Sequence, residues 1–356
     1  MPKRRDAGPA FFNILLSCKL HLKQKVWHRL APIRTNDSHR AEKRGGGPEE
    51  NSIFVRQLNQ LNQKIAMKHH SIILGIAVAL CTTACDKDLG AKKPGRSKYI
   101  SRIVSYRPAP GQFINTALGS PEAAQGIVGG RSGCLSLGGF GGYVVFEFDH
   151  EVENIAGTDF VIFGNAFSGS SEPGIVEVSA DGEHWYRLAG SAEEEAETVH
   201  RYTIRYERPT QTATTEAVDW SDNSGATGRL DIISYHGQSY WPAFLSDNPE
   251  SLTFSGVRLP GNVSWNEKSK QYVFSAFEWG YADNWSADYP EIAGNDPDTR
   301  NSNKFDLDWA VDKAGNRVEL KAIRQVKVYT ALNQTAGSLG ETSTEVCGAL
   351  SLSAGR

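Results

Sequence analysis

The chain has 356 residues, with 38 Lys and Arg against 41 Asp and Glu, 39% hydrophobic residues and 35 glycines. That is globular composition for one or two domains. Five cysteines over this length exclude a disulfide-stapled miniprotein, and a net charge of -3 argues against nucleic-acid binding by phosphate neutralisation.

The average charge conceals two unlike segments. Residues 1–66 hold 13 Lys and Arg against 5 Asp and Glu, a net of +8, which leaves -11 on the rest. Met67-Lys68-His69-His70-Ser71 then leads into an apolar run, Ile72 to Leu80, followed by Cys81-Thr82-Thr83-Ala84-Cys85. A short basic start, an apolar stretch too short to span a bilayer as a mature helix and small residues before a cut form the layout of a secretion signal. Cys85 directly after Ala84 resembles the lipobox of bacterial lipoproteins, whose cysteine is acylated and becomes the first mature residue. The expected organisation is therefore a signal peptide at 67–84 and an acylated Cys85 with a Lys-, Gly- and Pro-bearing tether at 85–98. Because signals act at the start of a chain, Met67 is the expected initiator and residues 1–66 a non-native, disordered upstream extension.

From residue 99 on, apolar residues alternate or cluster in runs of four to eight between Gly, Pro, Asn and Asp, which is strand punctuation. The expected strands are 99–106, 143–148, 160–163, 174–179, 184–188, 202–206, 252–259, 272–279 and 322–329, with one helical candidate at 192–198. Asp181-Gly182 predicts a tight hairpin through positive φ angles, and Asp312 to Asn316 a second. The glycines between Leu137 and Tyr143 lack the Lys-Ser/Thr ending of a phosphate loop and read as a turn into a strand. Many short strands without interleaved helices predict an all-β fold, a sandwich over 99–333, followed by a C-terminal segment at 334–356.

The segment Ile175-Val176-Glu177-Val178-Ser179-Ala180-Asp181-Gly182-Glu183-His184-Trp185-Tyr186-Arg187-Leu188 resembles the hairpin of discoidin-like and other galactose-binding-like jelly rolls. Residues 108–115, 136–142, 159–167 with Glu172-Pro173-Gly174, and 305–312 together resemble a family of secreted bacterial "cell surface proteins", common as lipoproteins in Bacteroidetes. The resemblance covers nearly all of 99–350. It implies a jelly-roll-like β-sandwich with long loops, a surface location and a link to nutrient uptake.

Jelly rolls of this type often hold a structural calcium ion, and calcium takes six to eight hard oxygen ligands. Candidate ligands are Asp159, Asn165 and Glu172 near one loop end, and Asp306 and Asp308 in the acidic stretch from Asp283 to Asp312. A solvated acidic loop held by Asx-turns is the alternative. Sugars and flat ligands stack on exposed aromatic faces while carboxylates and amides hold their hydroxyls. On that ground Trp220, Asp222, Asn223, Tyr240, Trp241, Tyr281, Asp283, Asn284 and Trp285 form the expected ligand site. Trp220, Trp241 and Trp285 are expected to be exposed, and Trp185 and Trp309 to lie in the core. Isolated histidines, with no His-Glu-x-x-His or Gly-x-Ser-x-Gly motif, give catalysis no anchor. Cys134 and Cys347 remain free to pair in an oxidising compartment, a pairing that spacing alone does not establish.

These features predict a non-catalytic binding protein, lipid-anchored to the outer membrane and facing the cell surface or the periplasm. It would capture a glycan or small nutrient for a TonB-dependent transporter, with no nucleic-acid partner. The alternatives are a glycan-active hydrolase or lyase, a cobalamin-binding surface lipoprotein, and a structural or adhesive surface protein.

Overall fold

Alternation along β3 (Tyr143–Glu153) sets the architecture. Val144, Phe146, Phe148 and Val152 point into one core, whereas Tyr143 packs into two others on the opposite face. The same division holds on its neighbours. In β5 (Gly174–Ser179), Val176 and Val178 join the first core and Ile175 another; in β15 (Ala322–Thr330), Val326 and Val328 part company with Tyr329 in the same way. A sheet with both faces apolar must be covered on both.

The computed structural model describes residues 96–210, 216–287, 289 and 299–354. The expected signal segment 67–84, Cys85, the expected extension 1–66 and nearly all of the expected tether lie outside the described residues, as do the aspartates at 288, 296 and 298.

The described chain is all-β, with antiparallel sheets and little helix. Six strands run in the order β1 (Arg102–Arg107), β3, β15, β5, β6 (Tyr186–Leu188), β14 (Ala310–Val311). One face packs on a three-stranded sheet, β13 (Ser302–Phe305), β4 (Phe160–Phe163), β17 (Ala349–Ser351), through Phe160, Ile162, Phe305 and Ala349. The other meets a four-stranded sheet, β10 (Ser251–Arg258), β7 (Val199–Glu207), β8 (Val218–Asp222), β9 (Thr227–Leu230), through Tyr143 against Phe254. Two ribbons complete the set, β11 (Val263–Asn266) with β12 (Gln271–Phe274) and β16 (Glu345–Val346) with β2 (Leu135–Ser136). Each fully buried Phe or Val in these cores contributes roughly 1.5–3 kcal/mol.

Residues after 333, set apart in the sequence reading, are woven into the fold. β16 pairs with β2, β17 pairs with β4, and Cys134 is joined to Cys347 by a disulfide. The expected helix at 192–198 is absent because its N–H groups reach back three residues, Glu193 to Gly190, Glu195 to Ala192 and Thr198 to Glu195, as successive turns. The helix that does form, α1 (Pro121–Gly126), starts where Ser120 Oγ accepts from the Ala123 N–H and proline occupies the first turn. The Asp181 hairpin joins β5 to β6, but Gly182 alone takes positive φ; Asp181 Oδ1 instead accepts the N–H groups of Glu183 and His184.

Candidate functional site

Three carboxylates from distant parts of the chain converge where β16 meets the loop before β5. Oxygens of Glu172, Asp283 and Glu345 all lie within 4.8 Å of one another, with Asp283 and Glu345 buried. Backbone geometry holds them there. Asp283 sits at φ 52, its Oδ1 accepts from the Asn165 N–H at 2.8 Å, and its Oδ2 accepts from the Glu345 N–H at 2.9 Å. The Glu172 N–H donates to the Asp283 carbonyl at 3.0 Å, and Ser343 Oγ donates to Glu345 Oε1 at 3.0 Å. Gly164 lets Asp283 approach, since a Cβ there would stand 2.5 Å from Oδ1.

Two oxygens bound to one calcium ion at about 2.4 Å are at most about 4.8 Å apart, so the three carboxylates fit one hard divalent cation. Glu172 belongs to the expected metal set and Asp283 to the expected ligand set. Glu345, in the polar run Thr342-Ser343-Thr344-Glu345, was missed; no local pattern marks it, because its partners lie 62 and 173 positions earlier.

The structure divides the expected metal residues. Asn165 joins the cluster through its backbone N–H. Asp159 is buried and accepts the N–H groups of Ile155 and Leu307 at 2.6 and 2.7 Å; burial pushes its carboxyl up to about 6. Asp306 Oδ1 caps the Asp308 N–H, and Asp308 Oδ1 accepts from Asn154 Nδ2. These three fasten the 3-10 turn Leu307–Trp309 to the start of β4.

The expected ligand residues are likewise dispersed. Tyr240 and Trp241 are core residues of the four-stranded sheet and Tyr281 is core beside β15, so the expected exposure of Trp241, at 1%, is corrected. These large loop aromatics pack among the strand residues of the two cores, where burial of their rings outweighs their position in connections. Trp220 is half-buried across Gly228, and Trp285 is half-buried with its ring 5.3 Å from Tyr289. Asp222 Oδ1 accepts the N–H groups of Ser224 and Ala226, and Asn223 bridges Thr203 and Arg201. Asn284, fully buried, both accepts from and donates to the Phe277 backbone.

Exposed aromatic surface lies elsewhere, on Tyr235, Trp265 and Trp279. Trp279 is 37% exposed and leans on half-buried Trp309, ring centroids 4.8 Å apart. Its backbone is pinned. Ser191 Oγ accepts the Glu278 and Trp279 N–H groups, and the Ser191 N–H donates to the Trp279 carbonyl. Trp309, expected in the core, packs against it from the edge while contributing to this surface.

One arrangement bears on catalysis. His150 Nδ1 lies 2.7 Å from Asp149 Oδ1 and Nε2 lies 2.9 Å from Ser351 Oγ, the order of a nucleophile, base and orienting acid. The His150 hydrogen bond holds the Asp149 carboxyl below its usual range. Access is lacking. Ser351 is 2% exposed, its hydroxyl also meets Ser353 Oγ, and the N–H groups of Ser351 and Leu352 are spent on the carbonyls of Lys98 and Asp159. With Ser351 buried and both of these N–H groups already bonded, Asp149, His150 and Ser351 form a buried structural relay among the described residues.

No family profile matches the chain, and no curated protein matches it significantly.

Proposed function

We propose that the chain is a lipid-anchored binding protein of the outer membrane, held through acylated Cys85, that captures a glycan or small nutrient at the cell surface for a TonB-dependent transporter. The observation that carries the binding role is the Trp279–Trp309 pair. A partly exposed indole on a rigid turn, backed by a second indole, is a stacking surface for a sugar ring. The Cys134–Cys347 disulfide supports an oxidising compartment outside the cytoplasm. The antiparallel sandwich is compatible with a galactose-binding-like jelly roll, and calcium at Glu172, Asp283 and Glu345 would act as a clamp between β16 and the preceding loops.

The test is affinity electrophoresis of the secreted domain against a polysaccharide panel. Retardation by at least one polysaccharide, weakened tenfold or more in Trp279→Ala, is the expected result; a panel with no retardation, or retardation indifferent to Trp279, overturns the glycan reading. Labelled palmitate incorporated by the wild type and lost in Cys85→Ala tests the anchor separately.

A further inference from the structure

A cleft of about 250 Å³ opens beside the end of β10, lined by Glu197, Arg258, Pro260, Asn333 and Gln334 among others. Drug-sized sites run to roughly 300–1,000 Å³, so this one suits a single small unit. Its cation is Arg258. The guanidinium carbon lies 4.7 Å from the centre of the Tyr202 ring, and Nε is buried without a hydrogen-bond partner. Among the described residues Arg258 makes no side-chain hydrogen bond and no ion pair. Six other described arginines are matched to acids, Arg187 to Glu193 and Arg229 to Asp219 for example.

The surrounding frame is built for that position. The β7–β10 register slips between Gly256 and Arg258, and such a bulge re-aims the side chain that follows it. Tyr329 Oη accepts the Val257 N–H at 2.9 Å, and a Cβ on Gly256 would stand 2.8 Å from that same oxygen. Asn333 Nδ2 donates to Tyr202 Oη at 2.8 Å. Gln334 is locked at both ends, accepting from the Asn262 N–H and donating to Asn262 Oδ1 and Thr342 Oγ1.

We propose that this cleft is a carboxylate-binding subsite with Arg258 as the recognising group. A guanidinium stacked on an aromatic ring is a planar donor fork whose geometry matches a carboxylate bidentately. Glu197, an acceptor among the lining residues, suits a ligand whose remaining groups donate hydrogen bonds, as the hydroxyls of a uronic acid do. The subsite stands apart from the Trp279 surface and does not depend on it.

Isothermal titration of the protein with D-galacturonate, D-galactose and inorganic phosphate tests the assignment. Saturable binding of galacturonate, at least tenfold tighter than either of the others and weakened at least tenfold by 0.5 M sodium chloride, is expected. Arg258→Met, which keeps the apolar stem over Tyr202, should abolish it, while Trp279→Ala should leave it intact. Galactose or phosphate binding as tightly as galacturonate, no saturable galacturonate binding, or a folded Arg258→Met that binds unchanged would each overturn the proposal. The contrast among the three ligands on the unmutated protein decides the matter even if that variant fails to fold.

Discussion

Glu341 accepts a 2.6 Å hydrogen bond at Oε1 from the backbone N–H of Gln112, 229 positions earlier, while its Oε2 is buried with no partner. Burial pushes this carboxyl up to about 8. Because the folded value lies above that of an unfolded glutamate, the folded state holds the extra proton, and stability falls as pH rises from about 4.5 to about 8. Asp159, pushed up to about 6, adds a slope of the same sign over the lower part of that window. Glu341→Gln should flatten the decline between about 6 and 8 and raise relative stability at pH 8 by on the order of a few kcal/mol. Urea unfolding at several pH values measures it; an unchanged slope would contradict the ionisation assigned to Glu341.

The Cys134–Cys347 bond closes a loop whose ends are 213 positions apart. Constraining so long a loop in the unfolded chain is worth about 5 kcal/mol in the entropic account, and measured losses run about 2–5 kcal/mol. Cys134→Ser, or reductant on the wild type, should lower the unfolding midpoint accordingly. Equal midpoints with and without reductant would show that the thiols are not joined in solution.

Calcium added to the domain should raise its melting temperature. At a hundredfold excess over Kd the stabilisation is about 2.7 kcal/mol, which for a domain of this size is roughly 5–10 °C. Glu172→Gln should reduce the shift, and chelator should reverse it. A scan with identical midpoints in calcium and chelator would remove the clamp.

Gly164→Ala places a Cβ 2.8 Å from the Asp283 Cα as well as against its carboxylate. Overpacking of this kind costs about 1–3 kcal/mol, and here it should also blunt any response to calcium. Thermal denaturation of the variant, with and without the ion, reads both effects.

Ser351→Ala removes the hydroxyl that meets His150 Nε2, leaving a buried ring nitrogen unsatisfied at a cost of about 1–3 kcal/mol. A serine-directed fluorophosphonate should leave the wild type unlabelled. Labelling at Ser351 would mean that the relay is reached by solvent.

Where burial wrote itself into local pattern, the strands were legible. Phe160–Phe163 and Gly174–Ser179 match their expected bounds residue for residue, being short apolar runs between turn formers. Val218–Asp222, Thr227–Leu230 and Val263–Asn266 were missed because their side chains are largely polar or exposed, with only Val218 and Leu230 buried to mark a core face. The site was less legible still. Loop position suggested exposure for Trp241, but the core of the four-stranded sheet claimed it, and the meeting of Glu172, Asp283 and Glu345 depends on strand order that no window of sequence contains.

The pairing of β17 with β4 and of β16 with β2 carries a consequence for biogenesis. Two sheets begun early in the chain stay incomplete until the ribosome has added some two hundred further residues, as the 213-residue spacing of the cystine indicates. A nascent chain that is unable to close its own sheets remains threadable, the state that the export proposed above would require.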